Sequence, residues 1–122
     1  MTLDYCVLGT NNIEEATKFY DSLFEKTELN KVLSTERMIF WQCEDFAFAI
    51  AKPINGEPAS NGNGTMIGLN VGSAEEVKRL HSKVIELGGT CEGEPGQRGP
   101  KFSAYARDLD RNKIVFGADP DN

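Results

Sequence analysis

The chain carries one structural pattern twice, and this repeat restricts the fold more than any other feature of the sequence. The stretch "LDYCVLGTNN" begins at Leu3, and the stretch "GTMIGLNVGS" begins at Gly64. One constant offset aligns Tyr5 with Met66 and extends into the segments that follow. Self-similarity at a fixed offset indicates a repeated supersecondary unit. With 122 residues, about the size of one ordinary domain, the chain has room for two copies.

Each copy carries the signals of a helix start. Asn12 and Ser73 are predicted N-cap residues, and Glu15 and Glu76 follow at capping-box spacing. Apolar residues then recur at helical spacing. They are Ile13, Ala16, Phe19, Tyr20, Leu23 and Phe24 in the first copy and Val77, Leu80, Val84, Ile85 and Leu87 in the second. The glycine pair at 88–89 predicts a left-handed end of the second helix.

A strand is expected before each helix and three strands after it, because the apolar period changes towards two. The predicted strands cover 4–9, 31–34, 38–42 and 46–51 in the first copy, and 65–71, 90–92, 102–107 and 113–116 in the second. "DLDRN" at 108–112 is expected to be a turn, and "GEPGQRGPK" at 93–101 a long loop. We therefore predict an α+β fold. Its two paired βαβββ modules form a curled mixed sheet with a central cleft, and the helices lie on the outer face.

These boundaries predict a single domain. Module one covers about 1–52, a Gly-, Asn- and Pro-rich connector covers 53–64, and module two covers about 65–118. Alternation along the strands assigns one set of side chains to the cleft. If Tyr5 faces it, Val7 does too. Met66 and Asn70 form the equivalent pair in the second module, and Lys113 and Val115 share the cleft face of the last strand. Cys6, Leu8, Ile114 and Phe116 are assigned to the core.

Composition argues against several classes of partner. The net charge of −6 and the lack of a basic stripe argue against nucleic-acid binding. No apolar run approaches the roughly 20 residues of a membrane span, and no signal peptide is visible near Met1. The three cysteines form no CxxC pair, and Cys6 is expected to be a buried free thiol. A reduced, cytoplasmic setting fits this pattern.

The chain resembles the glyoxalase / bleomycin-resistance / extradiol dioxygenase superfamily, also called vicinal oxygen chelate proteins. The resemblance rests on "VLGTNNIEEATKFYDSLF", "GNGTMIGLNVGSAEEVKRLHSKVIELGGT" and "YARDLDRNKIVF". The last is similar to the family's Asp-Pro-Asp-Gly-Asn turn, with Leu109 and Arg111 in place of Pro and Gly. The resemblance implies a small-molecule cleft between the modules, and commonly a homodimer. Whether the cleft lies within one chain or across a dimer stays open.

In the metal-dependent members, the first and last strand of each module supply the metal ligands. Carried over, these positions fall on Tyr5, Met66, Val115 and an unassigned residue of "FAFAIA" at 46–51. None is a usual ligand. The single histidine, His81, is expected to lie mid-helix and face outward. The sequence therefore predicts no metal, no cofactor and no catalytic residue.

Ten residues are the candidates for lining the cleft. They are Tyr5, Val7, Trp41, Phe48, Met66, Asn70, Tyr105, Arg107, Lys113 and Val115. Tyr5 either donates a hydrogen bond or a proton to a ligand or, as favoured, fills space, and Met66 is read as an apolar wall. Trp41 and Phe48, with Phe40 and Phe46, either stack on a flat ligand or belong to the core.

Several charged side chains also leave two interpretations open. Arg37, Tyr105 and Arg107 either clamp an anionic group or, for the arginines, form surface salt bridges. Gln97, Arg98 and Lys101 lie in the predicted loop, which either closes over the cleft or simply connects two strands.

The first functional prediction is a small-molecule binder that has lost the metal ligands, similar to the bleomycin-binding members. The acidic balance is compatible with a cationic ligand. The alternative is a metal-dependent lyase, isomerase or dioxygenase that uses displaced ligands such as Asp4, Cys6 or His81, or ligands supplied across a dimer. A third interpretation is a module whose cleft is filled by its own side chains.

Overall fold

The computed structural model describes residues 1–120, in two compact units: Met1–Asn61, and a second that begins at Gly62. The first unit contains β1 (Tyr5–Gly9), α1 (Ile13–Leu23), β2 (Asn30–Ser34), β3 (Met38–Gln42) and β4 (Ala47–Ala51). The second contains β5 (Ile67–Asn70), α2 (Ala74–Glu86), β6 (Thr90–Arg98), β7 (Lys101–Arg107) and β8 (Lys113–Ala118). Each unit is a βαβββ module, which confirms the predicted order of elements.

Each unit has one four-stranded mixed sheet and one helix. The strand order is β1-β4-β3-β2 in the first sheet and β5-β8-β7-β6 in the second. In both sheets the first strand pairs in parallel with the last strand of its module, and the other neighbours are antiparallel. The α+β fold class is therefore confirmed. Within the described residues, neither helix is long and apolar enough to cross a membrane.

Both predicted N-caps form. Asn12 Oδ1 accepts a hydrogen bond from the Glu15 amide at 3.1 Å, and Ser73 Oγ accepts one from the Glu76 amide at 3.2 Å. The Glu76 carboxylate accepts two hydrogen bonds from Arg79, at 2.5 and 2.8 Å. These bonds, more than the charge attraction between the groups, lower the pKa of Glu76. The first turn of α2 is therefore stabilised both by the cap at Ser73 and by the ion pair between Glu76 and Arg79, which lie about one helical turn apart.

The end of α2 uses the glycine pair at 88–89. Gly88 has φ +100°, a left-handed conformation that side chains with a Cβ rarely adopt. Gly89 packs closely against the sheet, because a Cβ there would lie 2.5 Å from the Arg107 carbonyl oxygen. The glycines thus end the helix and let the chain enter β6 beside β7.

The core of the first unit is an aromatic cluster beneath α1. Tyr20 and Phe24 of the α1 segment meet Trp41 of β3 and Phe48 of β4, with ring centroids 4.9–5.8 Å apart. Trp41 is 1% exposed, and its indole Nε1 donates to Asp21 Oδ1 at 3.0 Å. The hydrogen bond satisfies the one polar atom of a side chain that is otherwise apolar.

The predicted alternation is confirmed in β1 and β8, although Cys6, assigned to the core, is only half-buried. In β1, Leu8 is buried while Tyr5 and Val7 are 54% and 43% exposed. In β8, Ile114 and Phe116 are fully buried and Val115 lies on the opposite face. One face of each sheet therefore packs against its helix. We call the other face of the second sheet the α2-distal face.

The long loop predicted at 93–101 is wrong. β6 continues to Arg98 and pairs with β7 in a hairpin that turns at Gly99 and Pro100. The pairing shifts register between Cys91 and Gly93 and again between Gly93 and Gly96. Such bulges accommodate Pro and Gly within a strand. The predicted turn at 108–112 is confirmed, because the Asp108 carboxylate accepts hydrogen bonds from backbone amides within it.

Replacing Ser73 with alanine should destabilise the protein by about 1 kcal/mol, because the Glu76 amide loses its capping partner. The matched control is Ser82→Ala at an exposed position inside the same helix. There alanine should leave stability unchanged or raise it slightly, since alanine is the better helix former. Urea unfolding followed by circular dichroism measures both. Equal effects of the two substitutions would contradict the capping role of Ser73.

Candidate ligand-binding site

The α2-distal face carries a cavity of about 290 Å³. The register places its side chains together: Gly68 and Tyr105 flank Val115, while Asn70 and Ser103 flank Gly117. Gly68, Leu69, Asn70, Arg98, Lys101, Ser103, Tyr105, Val115 and Gly117 line the cavity. Two of the central positions are glycines, so the backbone forms part of the floor. The cavity thus combines an apolar floor with a polar rim.

Two cationic side chains lie against the ring of Tyr105. The Arg98 guanidinium carbon lies 5.2 Å from the ring centroid, and Lys113 Nζ lies 5.3 Å from it. Cation–π contacts of this kind contribute about 0.5–1 kcal/mol at exposed sites. Arg98 also donates to the backbone oxygens of Ser103 and Glu94. Arg98 is therefore held in place before any ligand arrives.

A small residue at position 93 makes room for this arrangement. A Cβ on Gly93 would lie 3.0 Å from Tyr105 Cδ1 and 3.2 Å from an Arg98 guanidinium nitrogen. Both distances are shorter than an ordinary van der Waals contact of a Cβ. Gly93 therefore lets the guanidinium lie beside the Tyr105 ring.

The charge of the lining is positive. Within residues 1–120 it includes the cations Arg98 and Lys101 and no acidic side chain. Lys101 Nζ is paired with Asp119 Oδ1 at 2.5 Å, and the Asp119 side chain is largely exposed. An exposed pair of this kind contributes little energy, so a ligand can displace it at low cost. Carboxylate and phosphate groups are the usual partners of a guanidinium.

The structure brings Asn70, Tyr105 and Val115 together in this cavity, as three of the ten candidates. Lys113 lies beside the Tyr105 ring. Met66 lies just before β5 and is half exposed. The sequence alone did not include Ser103 or the backbone of Gly117 among the ten, because neither residue type signals a site.

Arg107 forms the surface salt bridge that was one of its two alternatives. Its Nε donates to Glu92 Oε1 at 2.7 Å, and its Nη1 donates to the Arg111 carbonyl oxygen at 2.7 Å. The hydrogen bond from Arg107 lowers the pKa of Glu92, with smaller contributions from the charges of Lys113 and Arg111. Arg107 does not line the cavity.

The candidates of the first unit divide between the two faces of its sheet. Tyr5 and Val7 lie on the exposed side of β1, and the Tyr5 ring centroid lies 5.6 Å from that of Phe40. Trp41 and Phe48 lie in the core against α1, which is the second of the two alternatives left open by the sequence. They are therefore placed to stabilise the module.

The strand register shows which residue of β4 corresponds to Val115, and this is the fourth position at which the resemblance implies a metal ligand. Val7 pairs with Ala49 as Gly68 pairs with Val115, and the repeat offset relates Val7 to Gly68. Ala49 is therefore the counterpart of Val115. Neither side chain has a donor atom, and the other two positions hold Tyr5 and Met66. These residues do not fit a divalent metal.

A second cavity, of about 520 Å³, lies in the first unit beside the connector. Its lining mixes the acids Glu36 and Glu57 with the bases Arg37 and Lys52. Arg37 already donates to the Lys52 carbonyl oxygen at 2.9 Å. None of the ten candidates lies in this lining, and its mixed charge indicates no ligand class.

The prediction that His81 faces outward is wrong. His81 is 4% exposed and packs with Val77, Leu80 and Val84 on the buried side of α2. It occupies the position four residues after Val77, so the helical spacing already contained this signal. Its Nε2 lies 3.3 Å from Cys91 Sγ of β6, which in turn lies 3.4 Å from Glu94 Oε1.

The Cys91 thiol lies between His81 and Glu94. Desolvation, and then the neighbouring Glu94 carboxylate, raise the pKa of Cys91, while a hydrogen bond from the Gly93 backbone opposes the rise. Burial likewise raises the pKa of Cys6 in the first unit. Both thiols therefore favour the protonated form.

Comparison with known proteins gives consistent results. The model of the Glyoxalase/Bleomycin resistance protein/Dioxygenase superfamily matches residues 2–116. A glyoxalase/bleomycin resistance protein from Albidiferax ferrireducens T118 is 36% identical, with 96% of this chain and 98% of that chain covered and a TM-score of 0.88. Comparison with curated protein sequences gives no significant match.

Two more distant structures share the fold. A glyoxalase-related enzyme from Fulvimarina pelagi is 20% identical, with 95% of this chain and 86% of that chain covered and a TM-score of 0.79. A lactoylglutathione lyase from Agrobacterium tumefaciens is 19% identical, with 94% and 91% covered and a TM-score of 0.70. At these identities the likeness concerns the fold alone.

Replacing Arg107 with methionine should raise the pKa of Glu92 towards its ordinary value, because the hydrogen bond that stabilises the carboxylate is lost. A lowered pKa in the folded state contributes stability above the unfolded-state pKa of about 4.3, and this stability is lost as the pH falls through the folded pKa. The variant should therefore lose less stability on acidification. Carboxyl NMR titration of Glu92 measures the shift.

The matched control is Lys113→Met, which removes only a through-space charge contribution. It should leave most of the Glu92 shift in place. An equal rise in the two variants would show that general charge, and not the Arg107 hydrogen bond, sets the pKa.

Proposed function

The chain belongs to the glyoxalase/bleomycin resistance protein/dioxygenase superfamily, and on this premise we propose that it binds a small anion-bearing molecule in the cavity of the α2-distal face, without metal catalysis. The observation that carries the proposal is the cavity lining itself. It brings Arg98, Lys101 and Tyr105 together around the donor-free side chain of Val115.

The lining indicates the chemistry of the ligand. The Tyr105 ring and the Val115 side chain offer apolar surface for a flat or aliphatic group, while Arg98 and Lys101 suit a carboxylate or phosphate. Ligand pockets for drug-sized molecules measure about 300–1,000 Å³. At about 290 Å³ the cavity suits a ligand at the small end of that range.

The acidic composition does not oppose an anionic ligand. The net charge of −6 is distributed over the whole chain, and salt screens exposed charges beyond about 8–10 Å. The cations Arg98 and Lys113 lie beside the Tyr105 ring, and the lining within residues 1–120 contains no acidic side chain. The local cations therefore decide the preference. An anionic ligand differs from the cationic ligand with which the net charge of the whole chain is compatible.

The loss of metal ligands is part of the same proposal. Ala49 and Val115 cannot coordinate a cation, which supports binding without a metal at the positions where the family carries ligands. The cytoplasmic location and the homodimer remain predictions from the sequence.

The proposal is tested with three probes that share one ring: benzoate, benzamide and benzylammonium. Benzoate should shift the amide NMR signals of Ser103, Tyr105, Val115 and Gly117 most strongly, because only it adds an anion to the ring. Tyr105→Leu and Lys101→Met should each weaken benzoate binding about tenfold, the effect of losing about 1.4 kcal/mol. Lys18→Met on the exposed side of α1 is the matched control and should bind like the wild type.

All titrations are repeated after treatment with a chelator. Benzoate binding should persist, since no step of the proposal uses a metal. A preference for benzylammonium, or shifts confined to other parts of the chain, would overturn the anionic assignment. Binding that disappears with the chelator would overturn the metal-independent part.

A further inference from the structure

One group of side chains on the α2-facing side of the second sheet has the composition of a metal site. Among residues 1–120, the group with three His, Cys or acidic side chains close enough to hold an ion is His81, Cys91 and Glu94. One potential ligand atom from each lies within 4.8 Å of the others. Two of the distances are 3.3 Å, from His81 Nε2 to Cys91 Sγ, and 3.4 Å, from Cys91 Sγ to Glu94 Oε1.

We propose that His81, Cys91 and Glu94 bind a zinc ion, with water as the fourth ligand. Zinc takes nitrogen, sulfur and oxygen ligands at about 2.0–2.3 Å in tetrahedral geometry, which places neighbouring ligand atoms about 3.5 Å apart. The two distances from Cys91 Sγ are already close to that value. The remaining pair of ligand atoms, from His81 and Glu94, lies within 4.8 Å, and rotation of the exposed Glu94 side chain would close the third corner of the tetrahedron.

The two bulges of β6 create this arrangement. In a regular strand, Cys91 and Glu94 would point to opposite faces, because they are three residues apart. The register shifts between Cys91 and Gly93 and between Gly93 and Gly96 break that alternation. The thiol and the carboxylate can therefore meet.

The proposed histidine ligand, His81, is fixed by core packing. His81 lies among Val77, Leu80 and Val84 on the buried side of α2, so its ring has little freedom to turn away. Cys91 is at the surface and the Glu94 carboxylate is exposed. The site therefore has one fixed ligand and two accessible ones, which gives an ion a path of entry from solvent. Bound zinc would link α2 to β6.

The charges of the group also balance. A cysteine thiolate and a glutamate carboxylate together neutralise the two positive charges of the ion, while the histidine binds as a neutral imidazole. The neighbouring Glu92 carboxylate already accepts a hydrogen bond from Arg107 Nε at 2.7 Å. This leaves a solvent molecule as the natural fourth ligand.

The site is distinct from the proposed ligand cavity. Cys91 pairs with Ala106, which faces α2, whereas Tyr105 lies on the α2-distal face. Zinc binding and benzoate binding therefore report on different surfaces. Either proposal can fail while the other stands.

The experiment titrates chelator-treated full-length protein with Co²⁺, which reports thiolate ligation through a charge-transfer absorption band. The band should saturate at one equivalent, and Zn²⁺ should displace the cobalt. Cys91→Ser should abolish the band and weaken Zn²⁺ binding by at least about a hundredfold. Glu94→Gln should weaken binding about tenfold or more. Cys43→Ser, in the first unit, is the matched thiol control and should behave like the wild type.

Thermal unfolding supplies a second readout. Zinc at a hundredfold excess over its Kd should raise the melting temperature by roughly 10 °C in the wild type and in Cys43→Ser, and far less in Cys91→Ser. Circular dichroism checks that the variants are folded. If Cys91→Ser fails to fold, the exposed Glu94→Gln variant decides the question. The proposal is overturned if no charge-transfer band forms, if the band survives Cys91→Ser, or if Cys43→Ser removes it.

Discussion

The parallel pairing of the first strand of each module with its last strand is the constraint on which the rest of the structure depends. In the second unit it sets Gly68 beside Val115 and Asn70 beside Gly117. The antiparallel partner β7 then adds Tyr105 and Ser103 to the same face. A slip of β8 by one residue would turn Val115 and Gly117 towards α2 and expose Ile114 and Phe116. The burial of Ile114 and Phe116 opposes this slip, because both side chains are apolar.

The order of elements could be predicted because each signal is local. An N-cap depends on residues three positions apart, and strand alternation depends on residues two positions apart. The sequence alone therefore predicts the cap at Ser73 and the strand at 38–42 correctly. Which side chains of different strands share one face of a sheet is harder to predict, because this depends on which strands pair and in which register. Alternation could not decide whether Trp41 belongs to a site or to the core. Register alone identifies Ala49 as the counterpart of Val115.

The segment 93–101 shows why composition misleads in such a sheet. Glycine and proline usually mark loops, yet β6 keeps them by shifting register twice within one hairpin. Gly93 is small for a packing reason, because Arg98 and Tyr105 occupy the space of its missing side chain. The same segment contributes Arg98 to the cavity lining and Glu94 to the group with His81 and Cys91.

Glu94 connects the two surfaces of the second sheet. Its backbone oxygen accepts a hydrogen bond from Arg98, which forms part of the cavity wall, while its carboxylate lies 3.4 Å from Cys91 Sγ. A cation bound at Cys91 and an anion bound beside Arg98 therefore act on the two ends of one residue. Thermodynamic linkage makes any effect between them reciprocal: a change that zinc causes in the affinity for the anion equals the change that the anion causes in the affinity for zinc. The bulged strand thus brings the proposed zinc site and the proposed anion site to opposite faces of one sheet, and Glu94 contacts Cys91 of one site and Arg98 of the other.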